Sequence, residues 1–113
     1  MSEKTPDGLD QHAPGAKVDA GKNRLSLVLE AFSRSLWAVG EVGTFGANKY
    51  TDNGWLEVEH AHERYTDAMY RHLMKEAMGE DIDLDSELLH AAHTAWNALA
   101  RLELFLRAGD ENE

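Results

Sequence analysis

Apolar residues return along this chain at steps of three and four. Leu25, Val28, Leu29, Phe32, Leu36 and Val39 form the stripe of an amphipathic helix. Gly40, Gly43 and Gly46 follow, and each glycine costs about 1 kcal/mol against alanine inside a helix. Val42 and Phe45 nevertheless keep the rhythm, so this first helix is expected to run to about residue 45. Residues 48–54 (NKYTDNG) read as a loop from their turn formers. A second helix is expected over 56–78, with Val58, Ala61, Tyr65, Ala68, Met69 and Leu73 on one face. His62 and His72 share that face, Glu76 lies near its centre, and Gly79 is placed as a left-handed stop. After a linker over 80–85, Ser86 or Asp85 offers an N-cap oxygen for a third helix over 86–108. Its buried face is expected to be Leu88, Ala92, Ala95, Trp96, Leu99, Leu102 and Leu106, with His90, His93, Thr94, Asn97 and Arg101 opposite.

The pattern predicts an all-α fold, a hairpin or bundle of three main helices. Residues 1–20 carry Pro6, Pro14, Gly8, Gly15, Asp7, Asp10 and Asp19 with no apolar period, and read as a tail that is disordered or ordered by a ligand. Residues 21–108 are expected to form the single domain, and 109–113 read as a frayed end. About ninety ordered residues bury little apolar area, so the core is expected to be completed by homo-oligomerisation.

Composition narrows the classes. The chain has 113 residues and no cysteine, which removes disulfide scaffolds, thiolate metal sites and cysteine nucleophiles. No apolar stretch approaches the roughly 18–20 residues of a bilayer span, and no signal-peptide pattern opens the sequence, so a cytoplasmic protein is expected. Residues 1–50 hold six basic and six acidic side chains, whereas 51–113 hold five basic and fifteen acidic, so the net charge of −10 sits in the second part. Glu76, Glu80, Asp81, Asp83, Asp85 and Glu87 form its densest run. Such a surface repels phosphate backbones and anionic lipid, which argues against a nucleic-acid duplex or a membrane as partner. A solvated loop has the same composition.

Three constellations could carry chemistry. His72 and Glu76 lie one turn apart, Glu80 and Asp83 follow as E-x-x-D, and His90 and His93 open the third helix. Oxygen ligands suit Mg²⁺ or Mn²⁺, and imidazoles beside them shift preference toward Mn²⁺ or other transition ions. Histidines hydrogen-bonded in a core, or on a solvent face, meet the same spacing. A calcium-loop reading of Asp81-x-Asp83-x-Asp85 fails, since Ser86 stands where glycine is needed and Ala92 where a bidentate glutamate is needed. The second constellation, residues 15–24, places Lys17, Lys22 and Arg24 among glycines just before the first helix, where anions are favoured; a basic linker reads identically. It is not a P-loop, because Asn23 follows Lys22. The third, residues 45–55, sets Lys49 for a phosphate, with Tyr50 or Trp55 to stack on a base; an aromatic-anchored turn is the alternative. No Ser–His–Asp order, nucleophile elbow or dinucleotide fingerprint is present.

The phrases GAKVDAGKNRLSL (15–27), TFGANKYTDNGW (44–55), RYTDAMYRHL (64–73), GEDIDLDS (79–86) and HAAHTAWNAL (90–99) occur in that order. Together they resemble the amino-terminal domain of phage dATP/dGTP diphosphohydrolases, placed near the MazG-like all-α nucleotide pyrophosphohydrolases. The resemblance implies cleavage of a purine deoxynucleoside triphosphate to monophosphate and pyrophosphate with Mg²⁺ or Mn²⁺, in the host cytoplasm. It implies catalytic roles for His72, Glu80 and Asp83 and metal contacts from Glu76, Glu80, Asp83 and His90. Substrate contacts would come from Lys17, Lys22, Arg24, Lys49, Tyr50, Trp55 and Asn97. MazG-like enzymes pair E-x-x-E with E-x-x-D, and only Glu80-x-x-Asp83 matches here; the family's usual Ser-Gly is Ser86-Glu87. Two other readings stand beside the hydrolase: a phage protein that sequesters a nucleotide or nucleotide-derived signal intact, and a helical oligomerisation scaffold.

Overall fold

The computed structural model describes residues 4–111. They form α1 (Ser26–Leu29), α2 (Ser33–Lys49), a 3₁₀ turn (Gly54–Glu57), α3 (Ala61–Ala77) and α4 (His90–Glu111). Among the described residues there is no strand, only isolated bridges joining Lys4 to Asp10 and Ile82 to Leu89. The all-α class with three main helices is therefore as expected, and α4 packs against both α3 and α2. No described helix is long and apolar enough to cross a membrane. Residues 1–3 of the expected tail and 112–113 of the expected frayed end lie outside the described residues.

The chain divides into two compact units between Ala31 and Phe32. The first is a succession of turns ending in α1. Thr5 is buried, its N–H donates to the Leu9 carbonyl (3.0 Å), and its hydroxyl donates to Asp7. Further turns close from Ala13 N–H to Asp10 O, Ala16 N–H to Ala13 O, and Lys22 N–H to Asp19 O.

In the second unit the helix boundaries depart from the sequence expectation. The first expected helix is interrupted at Phe32, whose φ of −108° and ψ of 29° leave the helical region. It then extends past all three glycines to Lys49, and the Tyr50 N–H closes on the Gly46 carbonyl at 3.0 Å. The apolar stripe continues across the glycines because Val42 is buried in the core, and Gly43 faces the edge of the Trp96 indole. The second expected helix begins at Ala61 rather than Leu56, since residues 54–57 tighten into the 3₁₀ turn and His60 takes a left-handed conformation (φ 53°) before α3. Gly79 does end α3 as expected, at φ +99°. Its N–H reaches Glu76 O and the Glu80 N–H reaches Lys75 O, both at 3.0 Å, a pair of bonds that satisfies free carbonyls of the last turn.

The third expected helix begins at His90 rather than Ser86. Residues 80–89 instead fold back as a tight hairpin: Asp83 N–H to Leu88 O (2.8 Å), Glu87 N–H to Asp83 O (2.8 Å) and His90 N–H to Asp81 O (2.9 Å). Ser86 caps no helix; the Asp83 carboxylate accepts from the Ser86 N–H (2.9 Å) and draws the chain into the turn.

The buried face of α4 is only partly the expected one: Ala92 is buried and Ala95 and Trp96 half-buried as expected, but the histidine side turns inward and the leucines do not. His90, Ala92, His93, Asn97 and Ala100 are the buried positions, while Leu99, Leu102 and Leu106 stand about half exposed at 49%, 53% and 53%. Polar side chains are tolerated inside because every one finds a partner; among the described residues no buried side-chain nitrogen or oxygen lacks one. Apolar packing continues beside them, where Trp55, Tyr65 and Trp96 meet edge to face with centroids 5.6–6.3 Å apart. Arg101 Nε donates to Thr66 Oγ1 (2.7 Å), tying α4 to α3.

Glu87 occupies the left-handed region at φ 62°, where a side chain costs roughly 1 kcal/mol that glycine avoids. Glu87→Gly is therefore expected to stabilise the fold by about 1 kcal/mol, read from urea unfolding. Gly79→Ala, at φ +99° with open space around the added methyl, should destabilise it by a similar amount. Equal midpoints for wild type and Glu87→Gly would show that the hairpin relaxes without strain.

Candidate functional site

The hairpin brings a carboxylate between two helices. His72 on α3, Asp83 in the hairpin and His90 at the start of α4 each offer one ligand atom, all within 4.8 Å of one another. His90 is wholly buried. Its Nδ1 lies 2.8 Å from His72 Nδ1, and its Nε2 lies 2.8 Å from Glu80 Oε2. A carboxylate only accepts, so the Glu80 contact places a proton on His90 Nε2 and leaves His90 Nδ1 as the lone-pair atom facing His72. Two imidazoles and a carboxylate, with a second carboxylate behind one of the rings, fit a divalent ion.

His93 completes the cluster. Its ring stacks on His72 at 4.4 Å between centroids, 10° from parallel, and meets Phe45 edge-on. Its Nε2 lies 2.6 Å from Ser86 Oγ and 3.8 Å from Asp83 Oδ2. Burial pushes the His72 imidazole down to about 4, with His93 and then His90 adding to the shift and Asp83 opposing it. Burial likewise lowers His93. Both rings are thus neutral at pH 7, and the His93–Asp83 contact is not an ion pair there. Burial pushes the Asp83 carboxyl up, but hydrogen bonds from the Ser86 N–H and hydroxyl outweigh it and hold the group below its ordinary value.

Other expected site residues fall elsewhere. Glu76 is exposed on α3, and so is His62, a residue expected only on the apolar face of that helix. Lys49 Nζ sits 2.6 Å from Asp85 Oδ2 and 5.6 Å from the Phe45 and Tyr50 ring centres, so it pins the end of α2 to the hairpin. The hydrogen bond to Asp85 raises the Lys49 pKa. Tyr50 is 76% exposed, whereas Trp55 is packed against Tyr65 and Trp96, and its carbonyl accepts from Tyr65 Oη at 2.7 Å. Asn97 is buried, and its side-chain amide donates back to the His93 carbonyl (2.8 Å). Lys17, Lys22 and Arg24 are exposed residues of the amino-terminal unit.

Sequence reasoning misses Ser86 and places His93 only beside His90. Ser86 reads as a helix cap, although the D-x-x-S spacing from Asp83 is also that of a side chain gripping the backbone three residues on. His93 shares a helix face with His90, and the direction of that face is a tertiary fact.

Residues 12–113 match the family described as "dATP/dGTP diphosphohydrolase, N-terminal". A protein of Salmonella phage PMBT28 named "dATP/dGTP diphosphohydrolase" is 36% identical over 81 residues, which cover 72% of this chain and 26% of the relative. The chain thus spans about a quarter of the length of the curated relative it matches. No solved structure matches.

Because the His72 pKa falls on folding, the unfolded chain binds more protons between about pH 6.5 and 4. Stability is therefore full above that window and is expected to decline as pH drops through it. Urea midpoints measured from pH 7.5 to about 4 should show the decline, with a shallower slope in His72→Gln. An unchanged slope would remove His72 as its source.

Proposed function

Since the chain belongs to the dATP/dGTP diphosphohydrolase amino-terminal family, we propose that it cleaves a purine deoxynucleoside triphosphate to the monophosphate and pyrophosphate with Mg²⁺ or Mn²⁺. The observation that carries this reading is the convergence of His72, Asp83 and His90 from three of the family-like phrases onto one point. When bound, a divalent ion neutralises triphosphate charge and polarises the attacked phosphorus. The chain's own residues supply the rest. Glu80 fixes the tautomer of His90. With the Ser86 hydroxyl donating to Asp83, the neutral His93 ring donates its Nε2–H to Ser86 Oγ and so holds the Ser86–Asp83 pair in place. Lys49 and the exposed Tyr50 ring lie together at the end of α2, a cation for phosphate next to a face for a base.

Purified protein with each dNTP and Mg²⁺ or Mn²⁺ should yield monophosphate and pyrophosphate, with dATP and dGTP the best substrates. Asp83→Asn is expected to reduce turnover by at least about 100-fold, the scale of losing a charged group at a developing transition state. Glu76 stands exposed outside the converging group, and this sparser carboxylate set favours a second reading, in which the chain binds the nucleotide without hydrolysing it. Tight binding with every ligand recovered intact would select that reading.

The same proposal includes a homo-oligomer built on α4. Leu99, Leu102 and Leu106 repeat at helical spacing on its exposed side, and among the described residues only Val42, Ala92 and Ala100 are buried apolar side chains. Light scattering after size exclusion should give a multiple of the 12.6 kDa chain mass, and Leu102→Glu should shift it to the monomer. A monomeric wild type would refute the assembly.

A further inference from the structure

The donor chemistry of the cluster discriminates between the two ions of the proposed function. Mg²⁺ favours oxygen ligands and binds mainly through carboxylates, phosphates and retained waters. Here the converging atoms are two imidazole nitrogens and one carboxylate oxygen. Imidazole is a ligand of first-row transition ions, whose affinity for such sites exceeds that of Mg²⁺. Four carboxylates of the acidic run that would have suited Mg²⁺ stand outside this group: Glu76, Asp81, Asp85 and Glu87 are all exposed.

The surroundings are arranged as those of a histidine ligand commonly are. Glu80 grips the outer nitrogen of His90 at 2.8 Å, so the inner nitrogen presents its lone pair inward. That inner atom faces His72 Nδ1 at 2.8 Å. With no cation between them, the two Nδ1 atoms must share one proton, since only one of a hydrogen-bonded pair donates. Ligands on one ion at about 2.0–2.2 Å stand roughly 3–3.5 Å apart, so the imidazole pair is already close to the required separation. Asp83 is kept near by the Ser86 N–H, on a hairpin joined directly to His90 by the bond from His90 N–H to Asp81 O.

We infer that the His72–Asp83–His90 cluster is a site for a first-row transition ion such as Mn²⁺ or Co²⁺, selective against Mg²⁺, with Glu80 as a positioning residue acting through His90. Three protein ligands leave coordination positions open to the oxygens of a bound anion. The ion also clasps α3, the hairpin and α4 at one point, so its binding stabilises the fold whether or not catalysis follows. The inference shares its site with the proposed hydrolase but does not depend on turnover.

The full chain, purified without a histidine tag and stripped with chelator, is titrated with MnCl₂, CoCl₂ or MgCl₂. Binding is read by calorimetry, by the thermal midpoint and by the visible absorption of Co²⁺. One Mn²⁺ or Co²⁺ per chain is expected to bind at least about tenfold more tightly than Mg²⁺ and to raise the midpoint. His72→Gln should abolish the Co²⁺ band while circular dichroism of the ion-free protein stays helical. Glu80→Gln should keep the band and weaken binding by about 10–100-fold, the range for a lost partner behind a ligating histidine. Should His72→Gln fail to fold, Asp83→Asn provides the same test. Equal affinity for Mg²⁺, a Co²⁺ band unchanged in the folded ligand variants, or no binding would overturn the inference. Selective binding without release of pyrophosphate would refute the hydrolase and leave the ion site standing.

Discussion

A wholly buried imidazole, hydrogen-bonded through both of its nitrogens, organises the second unit of this protein. His90 meets His72 with one nitrogen and Glu80 with the other, each at 2.8 Å. Leaving either buried nitrogen without a partner would cost on the order of 1–3 kcal/mol, a large share of the stability of a small domain. Both partners can be met only if the first turn of α4 points its histidines toward α3 and the hairpin. The rotation of the helix follows from that requirement, and with it the exposure of Leu99, Leu102 and Leu106.

The hairpin over 80–89 depends on the same arrangement. Gly79 reverses the chain in a left-handed conformation, and Asp83 anchors the next turn through the Ser86 N–H. The bond from His90 N–H to Asp81 O then links the hairpin to the helix start. Lys49 answers Asp85 from the end of α2, so one cation meets the acidic run from a third element. The exposed ion pair adds little stability by itself, and its effect is to hold Phe45, Tyr50 and the hairpin close together.

Burial gives the cluster its chemistry as well as its shape. Withdrawal from water favours the uncharged imidazole at His72 and His93, which leaves lone pairs available at neutral pH for an ion or a proton. Asp83 stays a carboxylate in the same setting because the Ser86 N–H and hydroxyl donate to it. The proposed nucleotide chemistry rests on family membership, and the proposed transition ion on the nitrogen donors of the cluster.

Much of the architecture was legible in the residue order. Three- and four-residue spacing revealed the helices, Gly79 the end of α3, and the family-like phrases the candidates His72, Glu80, Asp83 and His90. These are local properties, set by backbone preference and by the 3.6-residue turn. The start of α4, the inward turn of His93 and Asn97, and the packing of Trp55 away from a stacking position were not legible. Hydrophobic periodicity ranks faces by transfer energy, so it favoured the leucine side of α4. The histidine side is buried because its partners come from α3 and from the hairpin, and a sequence pattern contains no term for a hydrogen bond whose other half lies on another element. Residue order by itself determined the three main helices and which side chains offer imidazole or carboxylate groups near their ends; the tertiary structure alone decided which face of α4 meets them, because the partners of that face lie on other elements.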